Sequence, residues 1–462
     1  MENSTICAVA TGHGGAIGII RVSGPDAITY TDKIFYSAKQ GFRLQDAKSY
    51  TLSYGQIKDA DGSVLDEVLV SVFHAPHSYT GENATEISCH NSPYILQRIM
   101  ERLVSCGCQL AAPGEYTQRA FLNGKLDLSQ AEAVADLIAS QTASSHRLAI
   151  KQLKDGFSKD FNYLKERLLK MTSLMELELD FGDHEELEFA DRKALLDLLH
   201  GIQDKIKKLA DSFQYGNAIK QGIPVAIVGE TNVGKSTLLN TLLGEEKAIV
   251  SQIHGTTRDV IEDTFNINGY LFRFFDTAGI RHTDNRVEQM GIERTYKKIE
   301  EAALILWLVD AGQVLEQKAI PTIYKLQGDK NILLVCNKCD LLSQGQESDL
   351  KAFLDGIAYK NICISAKDKV NIEELKHELL SLTDACRNDD NEYTVTNLRQ
   401  YEHLVAALRC TERVEEGLAQ GTPTDLVAED LRECLQHLGE IVGEITSADI
   451  LHNIFSHFCV GK

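Results

Sequence analysis

The chain lacks most of what would take it out of the ordinary soluble class. No stretch approaches the ~20 consecutive apolar residues that a membrane helix needs. The opening Met1-Glu-Asn-Ser-Thr-Ile6 has neither the basic nor the apolar segment of a secretion leader, so a cytoplasmic protein with no membrane partner is expected. The 11 cysteines, an odd number, run from Cys7 to Cys459 without framework spacing, which suits free thiols better than disulfides. The one Cys-x-x-Cys, Cys336-Asn-Lys-Cys339, has no second such pair and no His pair nearby, and reads as chance inside another motif. Basic charge is also short. A net charge of −20 excludes a protein that coats nucleic acid non-specifically. The deficit is uneven: residues 383–462 hold 6 basic and 15 acidic side chains, and residues 1–120 hold 9 and 12. Any nucleic-acid contact would use local patches or a partner. There is no internal repeat and no low-complexity tract.

What is present is a composition of 43% hydrophobic and 25% charged residues over 462 positions, enough for two to four domains. Three textures alternate. Residues 1–121 are turn-rich, with short apolar runs such as Val68-Leu-Val-Ser-Val-Phe73, and read as α+β. Residues 122–221 turn helical: Leu195, Leu198, Ile202, Ile206, Leu209 and Phe213 recur at three- and four-residue steps, as do Leu164, Leu168, Met171 and Met175. From 222 to 382, the continuous apolar runs Ile223–Val228, Leu304–Val309, Ile332–Val335 and Ile362–Ile364 alternate with helical segments, as in strands buried on both faces of a parallel α/β sheet. Helices return over 383–462, with Leu431, Leu435, Leu438, Val442 and Ile445 in one stripe and Ile450, Ile454 and Phe458 in the next. The expectation is a discontinuous helical domain with an inserted α/β unit, its two halves packing together because each stripe needs a partner.

Gly229-Glu-Thr-Asn-Val-Gly-Lys-Ser236 fits the phosphate-binding pattern G-x-x-x-x-G-K-[ST], between an apolar strand and a helical stretch. Amides of Asn232, Val233, Gly234, Lys235, Ser236 and Thr237 would cradle the phosphates at a helix N-terminus. Lys235 would reach the β- and γ-phosphates and the Ser236 hydroxyl would bind Mg²⁺. Three further motifs follow in chain order. The polar loop Ser251-Gln252-Ile253-His254-Gly255-Thr256-Thr257 offers Thr257 as the switch threonine completing the Mg²⁺ shell. Asp276-Thr277-Ala278-Gly279 ends a strand, with Asp276 holding Mg²⁺ through water and the Gly279 amide sensing the γ-phosphate. Asn337-Lys338-Cys339-Asp340 offers a carboxylate, Asp340, that can accept from guanine N1–H and its exocyclic amine. That selects GTP over ATP, with Ser365-Ala366-Lys367 backing the base. A Ras-like enzyme would next carry a glutamine to orient water, but here the position is Ile280. Another group must do that work.

The flanks identify a relative for the whole chain. Gly18-Ile-Ile-Arg21-Val-Ser-Gly24, Ser78-Tyr-Thr-Gly-Glu82, Pro113-Gly-Glu-Tyr-Thr-Gln-Arg119, Ala120–Leu128 and the terminal Ile454-Phe-Ser-His-Phe-Cys459-Val-Gly-Lys462 resemble the MnmE (TrmE) family of potassium-activated, tRNA-modifying GTPases, from about residue 5 to the last lysine. Gly124 and Val460 depart from close relatives without touching a role. The resemblance implies a K⁺ held by Asn232, Ser251, Ile253 and Thr256 in place of an arginine finger, and Glu288 as the water-orienting catalytic carboxylate beside Lys235, Asp276 and Thr257. It implies an N-terminal domain similar to tetrahydrofolate-binding domains, which dimerises and takes 5-formyl- or methylene-tetrahydrofolate at Arg21, Glu82, Lys125 and Lys462. It implies a flavoprotein partner, MnmG, bringing FAD to a heterotetramer, and addition of a carboxymethylaminomethyl group to carbon 5 of the wobble uridine of certain tRNAs. Cys459 mimics a prenylation box with the wrong last residue and no polybasic run. It is either a nucleophile of the modification chemistry or a packed, buried thiol. Two other readings stay open: a ribosome-assembly or RNA-binding switch of the Era/Der kind, and a folate-dependent transferase whose GTPase unit is only a stability module.

Overall fold

The computed structural model describes residues 4–12, 14–181, 192–245, 262–276, 302–317, 331–357, 359–384, 393–445, 448–456 and 458–461. The chain divides into two compact units, residues 1–135, 152–199 and 409–462 in the first, and residues 136–151 and 200–408 in the second. Among the described residues no helix is long and apolar enough to cross a membrane.

The first unit is built on a seven-stranded sheet of order β3-β4-β5-β6-β2-β1-β7. Its strands are β1 (Ile6–Val9), β2 (Ile17–Ser23), β3 (Phe35–Ser37), β4 (Thr51–Lys58), β5 (Val64–Phe73), β6 (Ala84–His90) and β7 (Gln109–Leu110). Every pairing is antiparallel except β1 with β7. The period of two is clean in β5: Val68, Val70 and Val72 are buried, whereas Leu69 is exposed. The buried face packs against helices α1 (Ala27–Ile34) and α2 (Pro93–Cys106), through Ile28 and Ile34 from one and Ile99 and Leu103 from the other. An α+β domain read from the sequence is therefore what forms.

The helices that flank the α/β segment are divided between the two units. α3 (Glu115–Leu122) leads into α4 (Leu128–Ala139), followed by α5 (Ala143–Asp155), α6 (Ser158–Phe181) and α7 (Arg192–Gln221). After the α/β segment come α12 (Leu398–Gln420), α13 (Thr424–Val442) and α14 (Ala448–Ser456). Leu164, Leu168, Met171 and Met175 of α6 are buried, as expected, and α6 packs against α13, joining the two sequence-distant helical halves. Two further stripes keep most of their expected positions, and the last sits one residue away. In α7 the buried series is Leu195, Leu199, Ile202, Ile206 and Leu209, with Leu199 in place of Leu198. In α13 Cys434 replaces Leu435, and Ile445 lies beyond the helix, 51% exposed. In α14 Leu451 and Phe455 are buried against Leu128 and Ala131, while Ile450 is 40% exposed. Adjacent apolar residues offer two candidate faces to a 3.6-residue repeat, and the neighbouring element selects one.

The second unit carries a six-stranded sheet of order β13-β12-β11-β8-β10-β9. Its strands are β8 (Ile223–Val228), β9 (Glu262–Ile267), β10 (Tyr270–Asp276), β11 (Leu304–Asp310), β12 (Asn331–Asn337) and β13 (Lys360–Cys363). All are parallel except the edge strand β9, which pairs antiparallel with β10. The apolar runs are buried on both faces, as in the stretch Leu304–Val309. Helices α8 (Lys235–Glu245), α9 (Ala311–Gln317), α10 (Gln344–Leu354) and α11 (Ile372–Asp384) follow the strands. Leu238 and Leu242 of α8 and Leu375 and Leu379 of α11 join one core with Val225, Ile227, Phe272 and Phe274. Open sheets of this kind present loops at the carboxyl ends of their strands, where ligands bind.

Candidate functional site

The loop after β8 is shaped by close approach. A Cβ on Gly229 would stand 2.3 Å from the Leu308 carbonyl oxygen, so only glycine lets β8 leave the sheet beside β11. Asn232 and Gly234 have φ of 68° and 100°, and α8 starts at once with Lys235. Left-handed residues before a helix N-terminus turn amides inward, the arrangement that cradles phosphate. The Lys235 ammonium is folded onto the loop's own carbonyls, donating to Gly229 O at 2.5 Å and Glu230 O at 3.1 Å. Asn232, Ser236 and Thr237 are exposed, leaving the amide and both hydroxyls open to a ligand.

Asn337 ends β12 and is buried at 3%. Its Nδ2 donates to Val233 O at 2.8 Å, and its Oδ1 accepts from the Ala366 amide at 3.0 Å. Thr241 of α8 donates to Ala366 O at 2.7 Å. One side chain thus ties together the phosphate loop, the guanine motif and the loop after β13. Lys338 has φ of 66° and its Nζ pairs with Asp310 Oδ2 at 2.8 Å. This holds open the 3₁₀ turn Cys339–Leu341, on which Asp340 is exposed. Ser365 is buried, and its Oγ accepts from the Asp368 amide at 3.1 Å, whereas Lys367 is exposed. Asp276 closes β10, paired in register with Ile227 of β8. The structure therefore brings Val233, Gly234, Lys235, Asn337 and Ala366 to one edge of the sheet. The residues Ser251, Gln252, Ile253, His254, Gly255, Thr256, Thr257, Thr277, Ala278, Gly279 and Glu288 lie outside the described residues. Asp310 and Thr241 are additions that no motif signalled.

A second polar cluster lies in the first unit. Arg21 of β2 faces Glu86 of β6 in register, with its Nε 2.9 Å and its Nη2 2.8 Å from Glu86 Oε1. Its guanidinium lies over the rings of Tyr79, at 5.8 Å, and Tyr116, at 5.6 Å. Arg21 Nη1 also donates to Gly461 O at 3.3 Å, although 440 residues separate them. Gly461, with φ of 91°, is held because a Cβ there would meet Val9 O at 2.6 Å. Glu82 accepts from Ser23 Oγ at 2.8 Å and from Arg119 Nη1 at 3.1 Å. Arg119 in turn holds Glu115 at 2.8 Å. Lys125 Nζ donates to Pro76 O at 3.1 Å. Arg21 thus meets the C-terminal tail, and Glu82 is held by Ser23 and Arg119. Lys462 itself is outside the described residues. Cys459 is exposed, which rules out the packed, buried alternative for its thiol, and its carbonyl accepts from the Gly114 amide at 3.3 Å. Ser23, Tyr79, Glu86, Tyr116 and Arg119 were not singled out as site residues. The only sequence signal for Ser23, Tyr79, Tyr116 and Arg119 was membership of the quoted N-terminal stretches, and Glu86 lies outside them. Burial pushes the phenols of Tyr79 and Tyr116 up, keeping both neutral beside Arg21.

Comparison with known proteins covers both sites. The family described as "GTP-binding protein TrmE N-terminus" matches residues 5–125, and that described as "MnmE helical domain" matches residues 128–459. Proteins named tRNA modification GTPase MnmE from Bacteroides fragilis and Bacteroides thetaiotaomicron are 53% and 52% identical, over 100% of this chain and 100% of theirs. The protein of that name from Porphyromonas gingivalis is 50% identical over 100% of this chain and 98% of its own. Among solved structures, Aquifex aeolicus Era bound to GDP and aluminium fluoride aligns at 28% identity over 40% of this chain and 65% of that one. Its TM-score is 0.28, too low to bear on the fold. End-to-end identity at this level, with both profiles in chain order, means that the chain belongs to the MnmE family of tRNA modification GTPases.

Proposed function

We propose that this chain hydrolyses GTP and, with a flavoprotein partner of the MnmG type, installs a carboxymethylaminomethyl group on carbon 5 of the wobble uridine of certain tRNAs, drawing a one-carbon unit from a tetrahydrofolate derivative. The observation that carries the nucleotide part is Asn337, whose two hydrogen bonds join the phosphate loop to the guanine motif and the Ser365–Lys367 loop. In this reading Lys235 leaves the carbonyls of Gly229 and Glu230 for the β- and γ-phosphates, and the loop amides around Asn232 and Gly234 receive the phosphate oxygens. Asp340 accepts from guanine, held in place through Lys338 and Asp310. Glu288 orients the attacking water that Ile280 cannot.

Oxygen donors suit hard cations. The exposed Ser236 hydroxyl, with Thr257 and with Asp276 through water, would hold Mg²⁺. The exposed Asn232 amide, with Ser251, Ile253 and Thr256, would hold K⁺. When bound, these ions offset the charge that develops between the β- and γ-phosphates.

The domains proposed are 1–121 for folate binding and dimerisation, 122–221 with 383–462 for the helical domain, and 222–382 for the GTPase. In the first, Glu82 would receive the pterin, and Arg21, Lys125 and Lys462 the glutamate tail. A homodimer through this domain is supported by an exposed apolar sheet face. Tyr54 and Leu69 are register partners 52% and 43% exposed, flanked by Leu52 at 66% and Tyr36 at 51%. A cytoplasmic location, contact with tRNA and the exposed Cys459 thiol as a participant in the modification complete the reading. The Era/Der alternative is not favoured, because the end-to-end relatives are named for tRNA modification.

Mass spectrometry of wobble uridines tests the whole reading. A strain lacking this chain should lose the modified nucleoside. The intact gene should restore it, and Asp276→Ala should not. Unchanged nucleosides in the deletion would refute the function, and full rescue by Asp276→Ala would reduce the GTPase unit to a stability module.

A further inference from the structure

The Cys-x-x-Cys that reads as chance in the sequence gains a third sulfur in the fold. Cys336 of β12 pairs in parallel register with Cys363 of β13. The Cys339 amide donates to Ile364 O at 3.1 Å, and the Ile364 amide to Cys336 O at 2.8 Å. The backbone around Cys339 is therefore laced to the end of β13. Cys339 and Cys363 pack against the same buried cluster that holds Cys336, the Cys339 thiol donates to Cys336 O at 3.3 Å, and the Lys351 ammonium of α10 adds positive charge near Cys363. The neighbouring thiols and that cation hold the Cys363 thiol below its ordinary range, favouring the thiolate, the form that reacts. Cys336 is fully buried, whereas Cys339 and Cys363 are part-exposed, so the accessible pair is Cys339 with Cys363. Asp340, proposed above to read guanine, is the next residue on the same turn.

We propose that Cys363 and Cys339 form an oxidisable dithiol site that takes hydrogen peroxide, and that closing it weakens guanine-nucleotide binding. The coupling rests on the reading of Asp340 as the guanine-binding carboxylate. In the first step the Cys363 thiolate attacks the peroxide O–O bond, forming S–OH and, with a proton, releasing one water. In the second the Cys339 sulfur displaces that hydroxyl, forming the S–S bond and, with its own proton, a second water. Two thiol sulfurs are each oxidised by one electron and both peroxide oxygens are reduced. A disulfide is about 2.05 Å long, far shorter than the contact of two packed thiols. Closure must therefore draw the turn Cys339–Leu341 toward β13 and carry Asp340 off its bidentate geometry. Loss of a charge-assisted contact of this type corresponds to a roughly tenfold or greater fall in affinity.

The test uses the purified full-length chain and a fluorescent GDP analogue, titrated after reduction, after hydrogen peroxide, and after peroxide followed by dithiothreitol. Peptide mapping without reduction reads the linkage. Expected are a Cys339–Cys363 cross-linked peptide two hydrogens lighter than its parts and an affinity about tenfold weaker after peroxide. Dithiothreitol should restore the affinity, and peroxide should not change it in Cys339→Ser or Cys363→Ser. Absence of the cross-link, a cross-link with unaltered affinity, or the same loss in both variants would overturn the proposal. Failure of the reduced chain to bind the analogue would instead sink the guanine-site reading, and the coupling with it, and is told apart because it appears before any oxidant is added.

Discussion

A methyl group added to Gly234 tests how tightly the nucleotide loop is built. Gly234 has φ of 100°, a conformation that an alanine adopts only at a cost of about 1–2 kcal/mol. Its Cβ would stand 2.2 Å from Asn337 Nδ2. The neighbour is the end of a side chain, but not a free one: Asn337 is buried and bonded to Val233 O and the Ala366 amide. Moving it breaks both bonds, and each stranded buried group costs about 1–3 kcal/mol. The sum is about 3–8 kcal/mol against the nucleotide-competent loop, equivalent to a loss of roughly 10²-fold or more in affinity. Titration of a fluorescent GDP analogue into Gly234→Ala should show that loss, with a lower melting temperature. Gly244→Ala is the control. It lies in α8, the helix that Gly234 precedes, with nothing within 4 Å of its Cβ, and should bind normally and gain up to about 1 kcal/mol of helix stability. Gly234→Ala with wild-type affinity and melting temperature would refute the reasoning.

Three further outcomes are expected. GTP turnover should be faster in K⁺ than in Na⁺ and should drop at least tenfold in Glu288→Ala; equal rates in the two salts would remove the ion, and an undiminished variant the glutamate. Glu82→Ala should abolish binding of 5-formyl-tetrahydrofolate in equilibrium dialysis while moving the melting temperature little, because Arg119 keeps Glu115; retained folate binding would count against Glu82 as the pterin partner. Burial pushes the Cys89 thiol from its ordinary 9.0 up to about 11, so the folded chain holds that proton more tightly than the unfolded one. The stability this adds is full below pH 9 and is lost as pH climbs toward 11. The difference in urea unfolding between the wild type and Cys89→Ala should therefore shrink over that range, and a constant difference would contradict the assignment.

The order of chemistry along the chain is local, and so it was readable without coordinates. The phosphate loop, Asp276, Asn337–Asp340 and Ser365–Lys367 announce themselves because each is a short run of residues at a strand end. The strands were legible because burial on both faces leaves an unbroken apolar run, as in β8 and β11. The choice between Leu198 and Leu199, or between Ile450 and Leu451, was not, since both residues are apolar and only the packed neighbour decides which face is covered. Nothing local pairs Arg21 with Glu86, sets Arg119 on Glu82 or brings Gly461 against Arg21 across 440 positions. Nor could spacing add Cys363 to Cys336 and Cys339, because that sulfur arrives through the register of two parallel strands. Sequence alone determined which groups are available, since side-chain chemistry travels with the residue. Tertiary structure alone decided which groups meet, since hydrogen bonds and ion pairs require separations of a few ångströms that only the paired strands and packed helices impose.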